Sequence, residues 1–207
     1  MKSKVILAVC SVILAFTTVA IAASINGDFK GFPIVNVSIN GTKIQSEIPA
    51  VNFYGKTLLP VRNVADTLQT IVEWDDKTWT ANLVKPEVNM VFASSVGEKE
   101  GEGIVIQNAF KLMPVGRKNS FYTYTEIDGL KYGYYSFRIA VIDPQGNAIY
   151  STGETHFEIT KDTPGGFYVI DLFENIDFVK PGSYKFQVQV KHDGTYKPVY
   201  EKTLVVY

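Results

Sequence analysis

Two histidines, one cysteine and an unusual supply of aromatic rings are the residues of this 207-residue chain whose chemistry invites inspection. His156-Phe157-Glu158 sets an imidazole and a carboxylate on one face of a strand, which supplies two metal ligands. A tight zinc or copper site needs a third or fourth. The other histidine, in His192-Asp193-Gly194, reads as part of a hairpin turn, and the one cysteine, Cys10, lies inside an apolar run near the start. No metal site is therefore expected. The segment Gly97-Glu98-Lys99-Glu100-Gly101-Glu102-Gly103 is rich in glycine, but its acids repel phosphate and its spacing fits neither a P-loop nor a dinucleotide turn. It reads as a solvated, mobile loop. The chain has no G-x-S-x-G, no H-E-x-x-H and no aspartate-rich calcium loop. Its carboxylates show no spacing that singles out a glycosidase-like pair. No catalytic residue and no cofactor is expected.

The rings are more informative. The chain carries 13 Phe, 12 Tyr and 2 Trp. Phe121-Tyr122-Thr123-Tyr124-Thr125 and Tyr132-Gly133-Tyr134-Tyr135-Ser136-Phe137 place aromatics on both faces of two strands. Phe137, Ile139 and Val141 share a face with Tyr135 and read as core, which turns Tyr134, Ser136 and Arg138 outward. Tyr122 and Tyr124 likewise oppose Phe121. A tyrosine has an apolar body and a polar tip, suited to stacking on a sugar or anchoring a protein. Tyr122, Tyr124 and Tyr134 are the candidate partner-binding residues.

The elements that hold these rings begin after a leader. Met1-Lys2-Ser3-Lys4 is basic, residues 5–19 are almost wholly apolar, and Ala20-Ile21-Ala22 matches a signal-peptidase site. The expectation is a signal peptide over residues 1–22, with an uncleaved membrane anchor as the alternative. Cleavage removes two of the 20 basic residues and none of the 21 acidic ones, which takes the net charge from −1 to −3. It also removes the only cysteine, so the remainder forms no disulfide. An exported chain of this size without disulfides points to a bacterium. The near-neutral balance lacks the basic field of nucleic-acid binders.

After a linker at residues 23–32, residues 33–85 mix strand and helix signals. Ile34-Val35-Asn36-Val37-Ser38-Ile39 alternates and runs into Asn40-Gly41, a favoured hairpin turn. Pro60 suits the first turn of a helix carrying Val61, Val64, Ala65 and Leu68 at helical spacing. Ile71-Val72-Glu73-Trp74 and residues 79–84 form a strand pair around Asp75-Asp76-Lys77-Thr78. This predicts a small α+β domain. Arg62, in the first helical turn, either clamps a carboxylate or sugar or bonds a nearby carbonyl or Asp66; the second role is the plainer one.

Val37-Ser38-Ile39-Asn40-Gly41, Pro49-Ala50-Val51, Tyr54-Gly55-Lys56-Thr57-Leu58-Leu59-Pro60-Val61-Arg62, Ala65, Leu68, Val72-Glu73-Trp74-Asp75 and Lys77-Thr78 resemble the copper amine oxidase N-terminal domain-like family, a "stalk" module. Leu68-Gln69 stands where that family usually has Leu-Gly, and Trp79-Thr80-Ala81 where it has Thr-Val-Thr. The resemblance implies an accessory module that holds other parts out from a surface. In such oxidases copper and quinone sit in a separate catalytic domain, so it brings no catalytic residue.

Residues 86–207 read as an all-β sandwich, from seven to nine short strands punctuated at Asp128-Gly129, residues 143–147, Pro164-Gly165-Gly166, Pro181-Gly182 and Asp193-Gly194. Residues 94–102 read as a polar loop between strands. Tyr184, Phe186, Val188 and Val190 alternate with polar residues. Lys180-Pro181-Gly182-Ser183-Tyr184-Lys185-Phe186 resembles the corner before strand F of immunoglobulin-like domains, with Phe186 at the position of their second cysteine. The expectation is an exported, non-enzymatic bacterial envelope protein, secreted or at the cell surface, joining a stalk to a module that binds an envelope protein or polysaccharide. It engages a membrane only through an uncleaved leader. The alternative is a wall-polysaccharide hydrolase using a carboxylate pair.

Overall fold

A computed structural model describes residues 25–162, 166–192 and 194–207. The expected leader lies outside the described residues, as do Pro164 and Gly165 of one expected turn and Asp193 of another. The chain divides into two compact units, the first ending at Val61 and the second running from Arg62 to Tyr207.

The first unit, among its described residues, is built of short strands: β1 (Asp28–Phe29), β2 (Phe32–Val35), β3 (Ser38–Ile39), β4 (Thr42–Lys43), β5 (Ala50–Phe53) and β6 (Lys56–Leu58). They form an antiparallel sheet in the order β1-β2-β5-β6, with β3 and β4 as a separate hairpin. Asn40 (φ 50°) and Gly41 (φ 82°) make the β3–β4 turn as their sequence predicts. The alternating run at residues 34–39 is split between β2 and β3. Phe32, Phe53 and Tyr54 gather their rings, with Phe53 5.0 Å from Phe32 and 4.7 Å from Tyr54.

All but the first residue of α1 (Val61–Thr67), the one helix among the described residues, belongs to the second unit. Ala65 is its buried residue. The helix ends where Gln69 turns to φ 56° and the amides of Thr70 and Gln69 reach back to the carbonyls of Ala65 and Asp66. That is the left-handed cap usually made by glycine. Strands β7 (Ile71–Asp75) and β8 (Thr80–Val84) pair with each other. The rest is a sandwich of β9 (Glu87–Lys99), β10 (Gly103–Phe110), β11 (Leu112–Met113), β12 (Gly116–Asp128), β13 (Gly133–Ile142), β14 (Ala148–Ser151), β15 (Thr155–Ile159), β16 (Gly166–Phe178), β17 (Gly182–His192) and β18 (Thr195–Val206). One sheet has the order β10-β9-β12-β16. The other runs β11-β18-β17-β13-β14, and β15 also pairs with β13.

Among the described residues the structure is mostly strand, and its one helix, α1, is seven residues long, so the helical part of the small α+β domain expected of residues 33–85 is slight. The expected loop at residues 94–102 is also different. Ala93 to Lys99 pair with Ala109 to Gly103, so the polar segment is a two-stranded ribbon closed by a tight turn.

Alternation decides what lies between the sheets. Phe92, Phe121, Phe137, Phe173, Phe178 and Phe186 are completely enclosed. Each such burial contributes about 2–3 kcal/mol. Phe121 on β12 and Phe186 on β17 meet with ring centroids 5.9 Å apart, joining the two sheets. Tyr184 donates from its hydroxyl to the Lys180 carbonyl at 3.1 Å, pinning the corner before β17. Ile71 of β7 and Val84 of β8 belong to this same core. The compact unit therefore begins before Lys85-Pro86, the position where the sequence pattern changes.

Candidate functional site

The outer face of the four-stranded sheet follows from strand register. Tyr122 on β12 lies between Ala93 on β9 and Leu172 on β16, and Tyr124 lies between Val91 and Ile170. Residues directly opposite in a ladder share a face, so these six form two apolar rows. Tyr168, one step further along β16, stacks on Tyr124 with centroids 5.6 Å apart and planes at 28°. Leu172 is 42% exposed and Tyr168 44% exposed. Burial, followed by the charges of Glu126 and neighbouring groups, raises the Tyr124 hydroxyl above the usual phenol range. The result is a flat aromatic and aliphatic patch with an acidic margin.

Tyr134 is elsewhere. It stands 82% exposed on β13, in the other sheet, opposite Glu158 of β15. A hydrogen bond with Glu158 raises its hydroxyl pKa. The outward residues of two sheets packed face to face point in opposite directions, so the structure groups Tyr122 with Tyr124 but separates both from Tyr134. The outer surface of the six-stranded sheet is laced with polar contacts. Arg138 donates to Gln189 at 2.9 Å and covers the Tyr196 ring at 3.9 Å. Gln189 donates to Gln187, and Gln187 to Glu201. These groups satisfy one another.

Sequence alternation identified Tyr122 and Tyr124 as outward. It missed Val91, Ile170, Leu172 and Tyr168, because their place beside the tyrosines depends on pairing between distant strands. Phe167-Tyr168-Val169-Ile170 carries no polar residue to mark which side faces out.

The other candidates are soon placed. His156 is exposed and its Nδ1 lies 2.9 Å from Ser136 Oγ and 3.8 Å from Glu154. His192 is half-buried and its Nε2 lies 3.1 Å from the Val72 carbonyl oxygen. Among the described residues no group of three or more His, Cys, Asp or Glu is placed to hold a metal ion. Arg62 lines a small cleft of about 210 Å³ with His192 and Lys197. Asp66 pairs with Lys197 at 3.2 Å.

A wider cleft of about 470 Å³ includes Asp143, Tyr150, Asp177 and Lys180. Asp143 accepts hydrogen bonds from the side chain and amide of Asn147 and the amide of Gln145, which hold its carboxyl below the usual range. Asp177 accepts the Lys118 amide at 2.9 Å. A hydrolytic pair needs one carboxyl held protonated near neutrality. Asp143 is held ionised, which suits only the other member of such a pair. Asp171 is raised to about 6, but by burial alone. It lies on the inner face beside Thr123, away from this cleft.

The two sheets, the β11 strand that crosses to pair in parallel with β18, the Phe121–Phe186 contact and the tyrosine at the corner define an immunoglobulin-like β-sandwich. Residues 37–113 match the family model of the copper amine oxidase N-terminal domain. A solved immunoglobulin-like protein from Pseudomonas aeruginosa is similar at 15% identity, over 60% of this chain and 96% of that one, with a TM-score of 0.32. None of the curated proteins matches. Among the described residues no helix is long and apolar enough to cross a membrane.

Proposed function

We propose that this chain is an exported, non-enzymatic module of the bacterial cell envelope, in which residues 33–85 act as a small α+β stalk and the sandwich engages a protein or polysaccharide. The observation that carries this reading is the Tyr122, Tyr124, Tyr168 and Leu172 patch. Rings on an open sheet face add little to folding but supply stiff contact area. The stalk-like family match and the immunoglobulin-like fold support a non-catalytic role. The test is the double substitution Tyr122→Ala, Tyr124→Ala, assayed by capture from envelope extract and on a glycan array. A binding patch loses capture by tenfold or more, as for interface anchors worth about 1–2 kcal/mol each. Full capture by the folded double variant would refute the patch as the binding surface.

A further inference from the structure

The chain has two tryptophans, and both stand at the tip of the β7–β8 hairpin. Trp74 is 47% exposed and Trp79 82% exposed. Their rings meet edge to face, 6.2 Å apart at 73°. Trp79 also holds a left-handed backbone, φ 52°, which costs a bulky side chain free energy that glycine would avoid. Thus the largest side chain in the protein occupies a strained position and gains little burial from it.

The tip is nevertheless tied together by hydrogen bonds. Trp74 Nε1 donates to Asp76 Oδ1 at 2.6 Å, fixing the indole. Asp75 accepts from the Lys77 amide at 2.9 Å and from the Thr78 hydroxyl at 2.7 Å, fixing the turn. These bonds hold the Asp75 carboxyl below its usual range. At its base the hairpin is anchored by Ile71 and Val84 in the sandwich core and by the Glu73–Lys131 ion pair at 2.6 Å.

We propose that Trp74 and Trp79 form a binding site for a neutral polysaccharide, distinct from the tyrosine patch and independent of it. The indole faces suit the C–H faces of a sugar ring. Asp76 keeps its second carboxylate oxygen for a sugar hydroxyl, and Lys77 is a donor beside it. Asp75 and Asp76 oppose an anionic lipid surface, so an aromatic tip of this charge is built for an uncharged, hydroxyl-rich ligand rather than for a membrane.

With no other tryptophan in the chain, tryptophan emission excited beyond the tyrosine absorption band reports this site alone. Titrating the full chain with the β-linked N-acetylglucosamine tetramer and with cellotetraose should give a saturable blue shift for at least one of them. Trp79→Gly relieves the left-handed strain, so it should keep or raise the melting temperature while weakening binding tenfold or more. Tyr122→Ala with Tyr124→Ala should leave the titration unchanged. The proposal is overturned if neither sugar shifts the emission, if Trp79→Gly binds as well as the parent, or if the tyrosine variant alone loses the sugar. A shift produced by phosphatidylcholine vesicles and by neither sugar also overturns it, in favour of a lipid surface. Loss of sugar binding by Trp79→Gly with envelope-protein capture intact would separate this site from the tyrosine patch.

Discussion

Asp171 is the residue whose replacement tests the energetics of the sandwich most directly. It lies half-buried on β16 opposite Thr123, and its Oδ2 has no hydrogen-bond partner; the same holds for the enclosed hydroxyls of Thr123 and Thr125. Burial raises its carboxyl from 3.8 to about 6. A shift of this size corresponds to about 3 kcal/mol at 1.36 kcal/mol per unit. Residual solvent contact at this edge strand reduces that to about 2 kcal/mol. The sign follows from proton linkage. The folded state binds the proton more tightly, so the stability it contributes is fully present below pH 3.8 and is lost as pH rises through 6. Above pH 6 the native protein carries an ionised, half-buried carboxylate. Asp171→Asn should therefore be more stable than the parent by about 2 kcal/mol at pH 7.5, a rise of about 4–8 °C in melting temperature. The advantage should shrink as pH falls through 6 and vanish near 3.8. Urea titrations of both proteins from pH 3.5 to 8 measure that difference. A variant equal to or weaker than the parent at pH 7.5, or a difference that ignores pH, would refute the assignment of burial as the cause.

Tyr184→Phe removes the hydroxyl that reaches the Lys180 carbonyl and should cost about 1 kcal/mol by chemical denaturation, with the fold retained. Gln69→Gly puts glycine at the left-handed cap of α1 and should raise stability by about 1 kcal/mol, read from the same transition. A fragment of residues 62–207 should unfold cooperatively. A fragment of residues 87–207 lacks Ile71 and Val84 from its core and should be weaker by on the order of 3 kcal/mol, compared by calorimetry.

The parts of this fold legible in the sequence are those governed by near neighbours. Period-two alternation separated Phe137, Ile139 and Val141 from Tyr134 and Arg138, and the observed burial follows it. Asn40-Gly41 specified its turn through backbone preference, and the corner before β17 was marked by Pro181-Gly182 and Tyr184. What stayed hidden depends on distant pairing. Alternation tells which residues of a strand share a side, but not to which sheet the strand belongs, so Tyr134 could not be told apart from Tyr122 and Tyr124. The β9–β10 ribbon was unreadable for a different reason. With both faces wet beyond Val96, Gly97 and Glu98 give no apolar periodicity. Asp171, flanked by Ile170 and Leu172, inverts the usual pattern, because here the charged residue faces inward and its apolar neighbours face out. Trp79 looked like the start of a strand, and its turn position emerges only from the pairing of Asp75 with Thr80.

The short strand β11 gives the sandwich a mechanical property. It lies parallel to β18, and the backbone hydrogen bonds that tie this segment to it include those from the Val205 amide to the Lys111 carbonyl, from Tyr207 to Met113 and from Val115 to Tyr207. A tensile load applied at Lys111 and Tyr207, the outer ends of this pair, draws the two parallel strands past each other along their length. These bonds then lie across the direction of pull and bear the force together, whereas an antiparallel hairpin loaded at its open end unzips one bond at a time. The closing strand of the fold is held in shear.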